Sequence, residues 1–271
     1  MLKIGISGVS GRMGKALVQV IAQEEGVTLG AAYDAPNSEL INLDAGLPGG
    51  IETGIKVSGY INTGLENCAA LIDFTRPEGS LGYLKSCVSK HIPFVIGTTG
   101  FTPQQVEVIE KASSSIPIVM APNMSIGVNL LFNLVEKAAT VVGDKFDAEV
   151  IEAHHRRKVD SPSGTALRIG EIIAEATGRD LRKDGVFSRE GITGERDKLA
   201  IGFATIRGGD IVGDHTALFA GEGERIEISH RASDRTTFAR GAVRAARFAS
   251  SKPNGLFDMR QVLGLEGNTD T

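Results

Sequence analysis

The chain of 271 residues has no tryptophan, only two cysteines and no long apolar run. Cys68 and Cys87 are too few for a disulfide framework and do not show a metal-ligand spacing, and such scarcity fits a reducing cytoplasm. No segment approaches the ~18 consecutive apolar residues of a membrane-spanning helix. The first residues, Leu2–Ser7, lack the apolar stretch of a signal peptide. The sequence therefore predicts a soluble, cytoplasmic protein.

Positive charge is not in excess either, because the formal net charge is -4. This balance gives no reason to expect nucleic acid or an anionic membrane as a partner. The hydrophobic fraction of 41% is that of an ordinary globular protein with a real core. At roughly 150 residues per domain, the length suggests two domains. An anionic substrate would have to be attracted by a local cluster of cations.

The first half of the chain alternates short apolar runs with segments of helical periodicity. Continuous apolar strands separated by amphipathic helices indicate a parallel sheet covered on both faces. We therefore predict an α/β fold with a Rossmann-like doubly wound parallel sheet. The predicted strands are Leu2–Ser7, Thr28–Tyr33, Ala70–Phe74, Phe94–Ile96 and Ile116–Met120, and the predicted helices are Gly11–Glu24, Pro77–Lys90 and Pro103–Ser113.

The pattern changes after Asn123. Three strand-like segments follow one another without helices between them, which indicates a mixed or antiparallel sheet and hence a second, smaller α+β domain. A last helix, Thr236–Ser250, is rich in alanine and could pack back on the first domain. The other predicted elements are the helices Ser125–Val142 and Gly164–Thr177 and the strands Phe146–Ala153, Leu199–Ile206, His215–Phe219 and Arg225–His230.

Glycines Gly8, Gly11 and Gly14 lie between the first strand and the first helix, with the spacing G-x-x-G-x-x-G. Glycines at such a turn let the pyrophosphate of a dinucleotide approach free N–H groups at a helix start. Asp34 ends the second strand, where a carboxylate reaches the ribose hydroxyls of the adenosine. The alternative is a tight structural turn with a surface aspartate. The order strand, turn, helix, strand and acid favours a dinucleotide site.

The residues around Asp34 also bear on the choice of cofactor. A carboxylate favours the free 2′-hydroxyl of NAD, whereas a neighbouring arginine favours the 2′-phosphate of NADP. The neighbour here is Ala35, and Arg12, in the turn, is the only nearby cation that the sequence identifies. The sequence predicts that NADH is used at least as well as NADPH.

Five consecutive residues from His154 to Lys158 can carry positive charge where a strand passes into a loop. Ser163, Gly164 and Thr165 then begin a helix whose N-terminal N–H groups form a second anion site. Together these features suit a small substrate with two carboxylates.

Histidine can donate a proton near neutral pH, and lysine can hold a carboxylate or donate a proton. For His154 and His155, an exposed polar loop or a hydrogen-bonded histidine remains an alternative. For Arg156 and Arg157 we favour a solvated face, because adjacent side chains leaving a strand cannot all face one pocket. The cluster is no zinc signature, and we expect no metal.

The segment from Glu152 to Ala166, with the pattern H-H-x-x-K-x-D-x-P-S-G-T-A after the glutamate, resembles the signature of the dihydrodipicolinate reductase family of bacterial lysine and diaminopimelate synthesis. The resemblance covers nearly the whole chain. It includes the Gly8–Gly14 turn and segments at 72–77, 95–100, 121–125, 188–191, 202–205 and 255–260.

This resemblance implies an organisation and a set of site residues. Residues 1–125 and 235–271 would form the dinucleotide-binding domain, and residues 126–234 would bind substrate and build a homotetramer through their sheet. His154 matches the family's proton donor and acceptor, and Lys158 its second catalytic residue. Arg235 is a further candidate for reaching the substrate on domain closure. The cofactor would contact Gly8, Val9, Ser10, Gly11, Arg12, Met13, Asp34, Gly97, Thr98, Thr99, Ala121, Pro122, Asn123 and Met124, and the substrate carboxylates His155, Gly164 and Thr165.

The implied reaction is the reduction of a cyclic unsaturated dicarboxylate, 4-hydroxy-tetrahydrodipicolinate or dihydrodipicolinate, to tetrahydrodipicolinate by NADH or NADPH. The proton would come from His154 or Lys158, and whether the enzyme assists loss of water stays open. One rival is an aspartate-semialdehyde dehydrogenase, but both cysteines lie far in sequence from the cationic loop. A non-catalytic dinucleotide sensor or a metal hydrolase would leave the histidines, the lysine and the helix start unexplained.

Overall fold

The computed structural model describes residues 1–266, and the chain divides into two compact units. The first contains Met1–Ile126 and the chain from Arg235 onward, and the second contains Gly127–Asp234. Each unit has buried apolar clusters of its own. The assignment of cofactor binding to the first unit and substrate binding to the second remains a prediction.

The first unit is built on a seven-stranded sheet with the order β12-β6-β5-β4-β1-β2-β3. All of its strand pairs are parallel, which confirms the predicted doubly wound sheet. The two edge strands were not predicted. One, Val57–Ser58, has only two residues, and the other, Gly255–Phe257, begins with glycine, whereas the equally short central strand Phe94–Ile96 is apolar throughout. The strands are β1 (Leu2–Ser7), β2 (Val27–Tyr33), β3 (Val57–Ser58), β4 (Ala70–Asp73), β5 (Phe94–Ile96), β6 (Pro117–Met120) and β12 (Gly255–Phe257).

Helices cover this sheet, and two of them pack closely on each other. The apolar stripe of α1, with Leu17 and Ile21, is buried in the same cluster as the alanine-rich face of α7, which includes Ala242 and Ala246. Alanine side chains allow the two helices to approach, so the C-terminal helix completes the core of the first unit. The helices are α1 (Arg12–Gln23), α2 (Pro77–Lys90), α3 (Pro103–Ala112), α7 (Thr236–Ala249) and α8 (Met259–Leu263).

The second unit has a five-stranded sheet with the order β11-β10-β7-β9-β8. Strand β7 is parallel to β9 and antiparallel to β10, which in turn is antiparallel to β11, so the sheet is mixed, as predicted. Its elements are α4 (Ile126–Val142), β7 (Asp147–His154), α5 (Gly164–Thr177), α6 (Leu181–Asp184), β8 (Gly185–Val186), β9 (Ile201–Arg207), β10 (Gly213–Ala220) and β11 (Arg225–Ala232).

One face of the mixed sheet packs against α5. Alternate residues of β7, Ala148 and Val150, are buried there with Ile169 and Ile173 of the helix. The alternation of a strand continues this face to Glu152 and His154. The C-terminal end of β7 therefore places two ionisable side chains on the buried side of the sheet. Within residues 1–266, no helix is long and apolar enough to cross a membrane.

Candidate functional site

The loops predicted to hold the cofactor all follow strands of the first sheet. Gly8 follows β1 and Asp34 follows β2, while Gly97 follows β5 and Ala121 follows β6. Because these strands are parallel neighbours in the order β6-β5-β4-β1-β2, their C-terminal ends lie along one edge. Strand β1 pairs with β2 on one side and with β4 on the other, so the order of the strands reverses at β1. Ligands of open α/β sheets bind at such a switch point.

The glycine turn is shaped by contacts that exclude side chains. Gly8 has φ +70°, a conformation that favours glycine. A Cβ at Gly14 would overlap the carbonyl oxygen of Gly8 and would lie 2.6 Å from the Cα of Val9. Gly11, at the start of α1, offers no side chain to cap the helix. The first-turn N–H groups of α1 therefore remain available to an anion.

Asp34 lies directly against this turn. Its carboxylate accepts hydrogen bonds from the backbone N–H of Ser10, at 2.7 Å, and of Ala35, at 2.8 Å. Each carboxylate oxygen has a second lone pair, so the group can still accept hydrogen bonds from ribose hydroxyls. The N–H of Ser10, a residue predicted to contact the cofactor, is thus used by Asp34.

Two arginines lie near the start of α1. Arg12 is exposed at the turn, and Arg235 is half-buried at the beginning of α7. Burial lowers the pKa of Arg235, and the positive charge of Arg12 lowers it further. The two guanidinium groups are thus close enough to interact, and the structure adds Arg235 to the cations beside the turn.

A buried carboxylate that the sequence did not single out connects several of these loops. Asp73, at the end of β4, accepts hydrogen bonds from the hydroxyls of Ser7, at 2.5 Å, and Thr75, at 2.7 Å. Thr98 donates to its other oxygen at 2.8 Å, and Ser80 of α2 also donates there. Asp73 therefore orders the ends of β1 and β5. The side chain of Thr98 is directed into this network.

The residues of the cofactor loops fit a dinucleotide mainly through their backbone. The side chains of Val9, Ala121 and Met124 are buried in the apolar core, so only their main chain can face a ligand. At Gly97 a side chain would overlap the ring of Phe74. Thr99 and Pro122 are exposed at the same edge.

In the second unit, His154 ends β7 and is 8% exposed. Its Nδ1 lies 2.5 Å from Oε2 of Glu152, which is 1% exposed. Arg207 donates one hydrogen bond to each oxygen of Glu152, both at 2.8 Å. The backbone N–H of Ser163 donates to Oε1 at 3.1 Å. Because His154 is buried and hydrogen-bonded, it does not lie in an exposed polar loop, which was one alternative considered from the sequence.

Opposing effects set the protonation of these groups. Burial holds the pKa of His154 below its usual value, and the Glu152 carboxylate offsets only part of that fall. Burial by itself would raise the pKa of Glu152, but hydrogen bonds from Arg207, His154 and Ser163 hold it below its usual value. Glu152 is therefore ionised at neutral pH, and the charge of His154 depends on its neighbours.

A second buried histidine, not identified from the sequence, packs beside the first. The rings of His154 and His215 meet edge to face with centroids 5.1 Å apart. Burial lowers the pKa of His215 to about 3, so this ring is neutral. Its Nε2 lies 3.0 Å from the hydroxyl of Ser163, which caps α5 by accepting from the N–H of Ala166.

The predicted substrate residues surround the start of α5 and the loop before it. A Cβ built on Gly164 would meet nothing within 4 Å, so the space before the helix is open. His155 is half-buried, and its Nδ1 accepts from the N–H of Arg157 at 3.2 Å. Lys158, predicted to be catalytic, forms an ion pair with Asp160 at 2.8 Å. Arg156 and Arg157 are exposed, as expected for a solvated face.

Two other chemistries find little support in the described part of the chain. Both cysteines are buried, and burial raises the pKa of Cys68 to about 11 and that of Cys87 still further, so neither is a nucleophile at neutral pH. Among residues 1–266, no group of three or more histidine, cysteine or acidic side chains is arranged to hold a metal ion.

A glycine turn at the switch point of a doubly wound sheet, followed by an acid after β2, defines a nucleotide-binding protein of the oxidoreductase type. Comparison with known families makes this more specific. Residues 2–124 match the N-terminal part of dihydrodipicolinate reductase, and residues 127–263 match its C-terminal part. The chain belongs to the dihydrodipicolinate reductase family. It is therefore an oxidoreductase, and its Rossmann-like domain implies a pyridine nucleotide as cofactor.

Relatives and a solved structure agree with this assignment. The chain is 54% identical over 265 residues to 4-hydroxy-tetrahydrodipicolinate reductase of Thiobacillus denitrificans, covering 98% of this chain and 99% of that protein. It is 55% identical over 262 residues to the enzyme of the same name from Chromobacterium violaceum, covering 97% and 98%. The dipicolinate-bound dihydrodipicolinate reductase of Paenisporosarcina sp. TG-14 shares the fold, with a TM-score of 0.73 at 23% identity over 95% of this chain and 97% of that one.

Proposed function

We propose that the protein reduces 4-hydroxy-tetrahydrodipicolinate, or the dihydrodipicolinate formed from it by loss of water, to tetrahydrodipicolinate in lysine and diaminopimelate biosynthesis. The observation that carries the proposal is the position of a buried proton carrier, His154, beside the start of α5. Both the histidine and the helix start are joined to the same carboxylate, Glu152. This pairing matches a reaction that needs one proton and a substrate that carries two carboxylates.

The start of α5 would bind one substrate carboxylate. Its first-turn N–H groups at Gly164 and Thr165 carry the positive end of the helix dipole. Lys158 and His155, in the loop after β7, would add positive charge and hydrogen-bond donors for the second carboxylate. A dianion near His154 would favour the protonated imidazole, because an opposite charge stabilises the charged form. Substrate binding would thus help to load the general acid.

The nicotinamide, when bound, supplies a hydride, which is one hydrogen with both electrons of its bond. His154 then delivers the matching proton from Nε2 to the substrate ring, so one hydrogen molecule is added in total. The buried position of His154 and its contact with Glu152 favour it over Lys158 as the proton donor, since the ammonium of Lys158 is already paired with Asp160. Lys158 would stabilise negative charge on the substrate.

Gly8 to Met13 would hold the pyrophosphate, Asp34 the adenosine ribose, and Gly97 to Thr99 with Ala121 to Met124 the nicotinamide. We expect kcat/KM with NADH to equal or exceed that with NADPH, since the Asp34 carboxylate favours a free 2′-hydroxyl and Ala35 offers no phosphate contact. The positive charges of Arg12 and Arg235, near the start of α1, would still allow some binding of the 2′-phosphate of NADPH. Steady-state kinetics with both cofactors provide the test, and a strong preference for NADPH would refute the expectation.

Gly164→Val should raise KM for the dicarboxylate and change kcat much less. The valine side chain would enter the open space in front of α5 without striking the protein, so it would displace the ligand and not the fold. Each hydrogen bond lost to a charged group costs about 1.5–3 kcal/mol, which corresponds to a KM higher by roughly tenfold to a hundredfold. Initial rates over a range of substrate concentrations measure this. A large fall in kcat at unchanged KM would contradict the assignment of Gly164.

We further propose a homotetramer built through the sheet of the second unit, in the cytoplasm, where free thiols such as Cys68 and Cys87 persist. Part of the sheet face opposite α5 is apolar, and Ile206 is 51% exposed there. Exposed apolar sheet faces are typical of subunit interfaces.

Light scattering should give a mass four times the 28.6 kDa of the chain. Ile206→Arg should lower this mass, whereas Val141→Arg, on the exposed side of α4, should not; a monomeric wild type would refute the proposal.

The activity itself is tested by oxidation of NADH in the presence of the cyclic substrate. Sustained turnover is expected. Binding of NADH without turnover would instead identify a sensor of dinucleotides, which the histidine and carboxylate network does not favour.

A further inference from the structure

Glu152 is a buried carboxylate whose bonding capacity is almost fully used. Four donors surround it: two N–H groups of Arg207, the backbone N–H of Ser163 and Nδ1 of His154. A side chain that is 1% exposed and so completely paired does not itself meet substrate or cofactor. Its function must therefore act through the groups that it holds.

The first consequence concerns the tautomer of His154. An ionised carboxylate can only accept hydrogen bonds, so the contact of 2.5 Å requires the hydrogen to be on Nδ1. In the neutral ring, Nε2 then carries the lone pair, and in the protonated ring Nε2 carries the transferable proton. The space beside Nε2 is kept open by Gly213, where a Cβ would lie only 3.0 Å from that nitrogen.

The second consequence concerns charge. The ionisable groups that face His154 are Glu152 of β7, Lys158 of the following loop, Arg207 of β9 and His215 of β10. Burial, Lys158 and Arg207 all disfavour the imidazolium, and His215 is neutral. Among these groups, Glu152 is the one that stabilises the protonated ring.

We propose that Glu152 is a positioning residue that fixes the proton of His154 on Nδ1, offsets part of the cost of protonating the ring and ties it to the start of α5 through Ser163. This inference rests on the proposed role of His154 as proton donor. The Glu152 carboxylate would thus both orient the ring of His154 and align it with the anion-binding start of α5.

The experiment compares Glu152→Gln with Glu149→Gln. Glu149 lies on the same strand and also binds two arginines, Arg189 and Arg196, but on the opposite face of the sheet. The chain has five histidines, so nuclear magnetic resonance with labelled histidine can follow each ring, and His154→Gln identifies the signal of His154. The titration of that signal gives the tautomer and the pKa without substrate or turnover.

In Glu152→Gln, an amide NH2 turned towards His154 would oblige Nδ1 to become the acceptor. We expect the neutral ring to change to the Nε2–H tautomer and its pKa to fall by about one unit, because the stabilising charge is gone. The alkaline limb of kcat should move to lower pH by the same amount, which is about tenfold in rate above the pKa. Glu149→Gln should leave the tautomer, the pKa and the pH profile of kcat unchanged.

A second variant tests the inference from the other direction. Arg207→Gln removes a positive charge that opposes protonation, so the pKa of His154 should rise while Nδ1 keeps its hydrogen. The Arg207→Gln variant therefore tests the inference even if Glu152→Gln does not fold. An unchanged tautomer and pKa of His154 in Glu152→Gln would overturn the inference, as would a fall of the pKa in Arg207→Gln. Absence of reductase activity in the wild type, with the tautomer as stated, would refute the proposed function and leave the positioning role standing.

Discussion

His154→Gln is expected to lower kcat by ~100-fold or more, which is the usual contribution of a well-placed general acid. Glutamine keeps an N–H group for Glu152 and has a similar volume, so the fold should be retained. It cannot deliver a proton, and the ring anion left by hydride addition would have to take its proton from water. In the wild type, kcat should fall as the pH rises through the pKa of His154, because the protonated form is the active one. The variant should lose that dependence.

The control for this prediction is His155→Gln. His155 is half-buried in the loop after β7 and is proposed to contact a substrate carboxylate, so its replacement should act on KM more than on kcat. Thermal unfolding of both variants checks that the fold is intact. A His154→Gln enzyme with the kcat of the wild type would remove His154 from the role of proton donor and would leave Lys158 as the remaining candidate.

Gly14→Ala is expected to disable the cofactor site. The new methyl group would overlap the carbonyl oxygen of Gly8 and lie against the backbone of Val9, so α1 or the turn must move. Overpacking of this kind costs typically about 1–3 kcal/mol of stability. Displacement of binding groups by about 1 Å can cost ~100-fold in function, and we expect a loss of that order in kcat/KM for NADH.

Gly82→Ala is the matched control for this variant. Gly82 lies in α2 of the same unit, and a Cβ built there meets nothing within 4 Å. Alanine is better than glycine in a helix by up to about 1 kcal/mol, so this variant should be as stable as the wild type or more so, with unchanged kinetics. Isothermal titration with NADH separates the two. Equal affinity of Gly14→Ala and wild type for NADH would contradict the assignment of the pyrophosphate to this turn.

The parts of the fold that depend on local patterns could be predicted from the sequence. Strand β1 and helices α2 and α5 begin and end where the sequence indicates, because apolar runs, Pro77 and the cap at Ser163 are signals within a few residues. Strand β9 is predicted two residues too early, since Leu199 belongs to the turn in which its N–H donates to Asp197. Short edge strands carry too little pattern to be recognised.

The candidate site was predictable only in its local part. The segment from His154 to Ala166 contains the proposed proton donor and the helix start in one stretch of sequence. The partners of these groups lie outside this stretch: Arg207 is 55 residues from Glu152, and His215 is 52 residues from Ser163. Nothing in a single sequence pairs residues so far apart. Their association follows from β7 lying between β9 and β10, which is a property of the sheet.

Asp73 illustrates the same limit in the first unit. Its four hydroxyl donors come from β1, from the loop after β4, from α2 and from the loop after β5. The sequence shows an aspartate after an apolar run, which is also what a surface residue at a strand end looks like. Only the order of the strands reveals that this carboxylate is enclosed.

We propose that the protein transfers a hydride from a nicotinamide and a proton from His154 to one cyclic dicarboxylate. This proposal is tested most directly with NADH that carries deuterium on both positions of nicotinamide C4, in ordinary water. The expected tetrahydrodipicolinate product carries one deuterium on a ring carbon and one hydrogen from the solvent, and it forms in proportion to the NADH oxidised. A product without deuterium, or oxidation of NADH no faster than in the absence of the protein, would contradict the proposal.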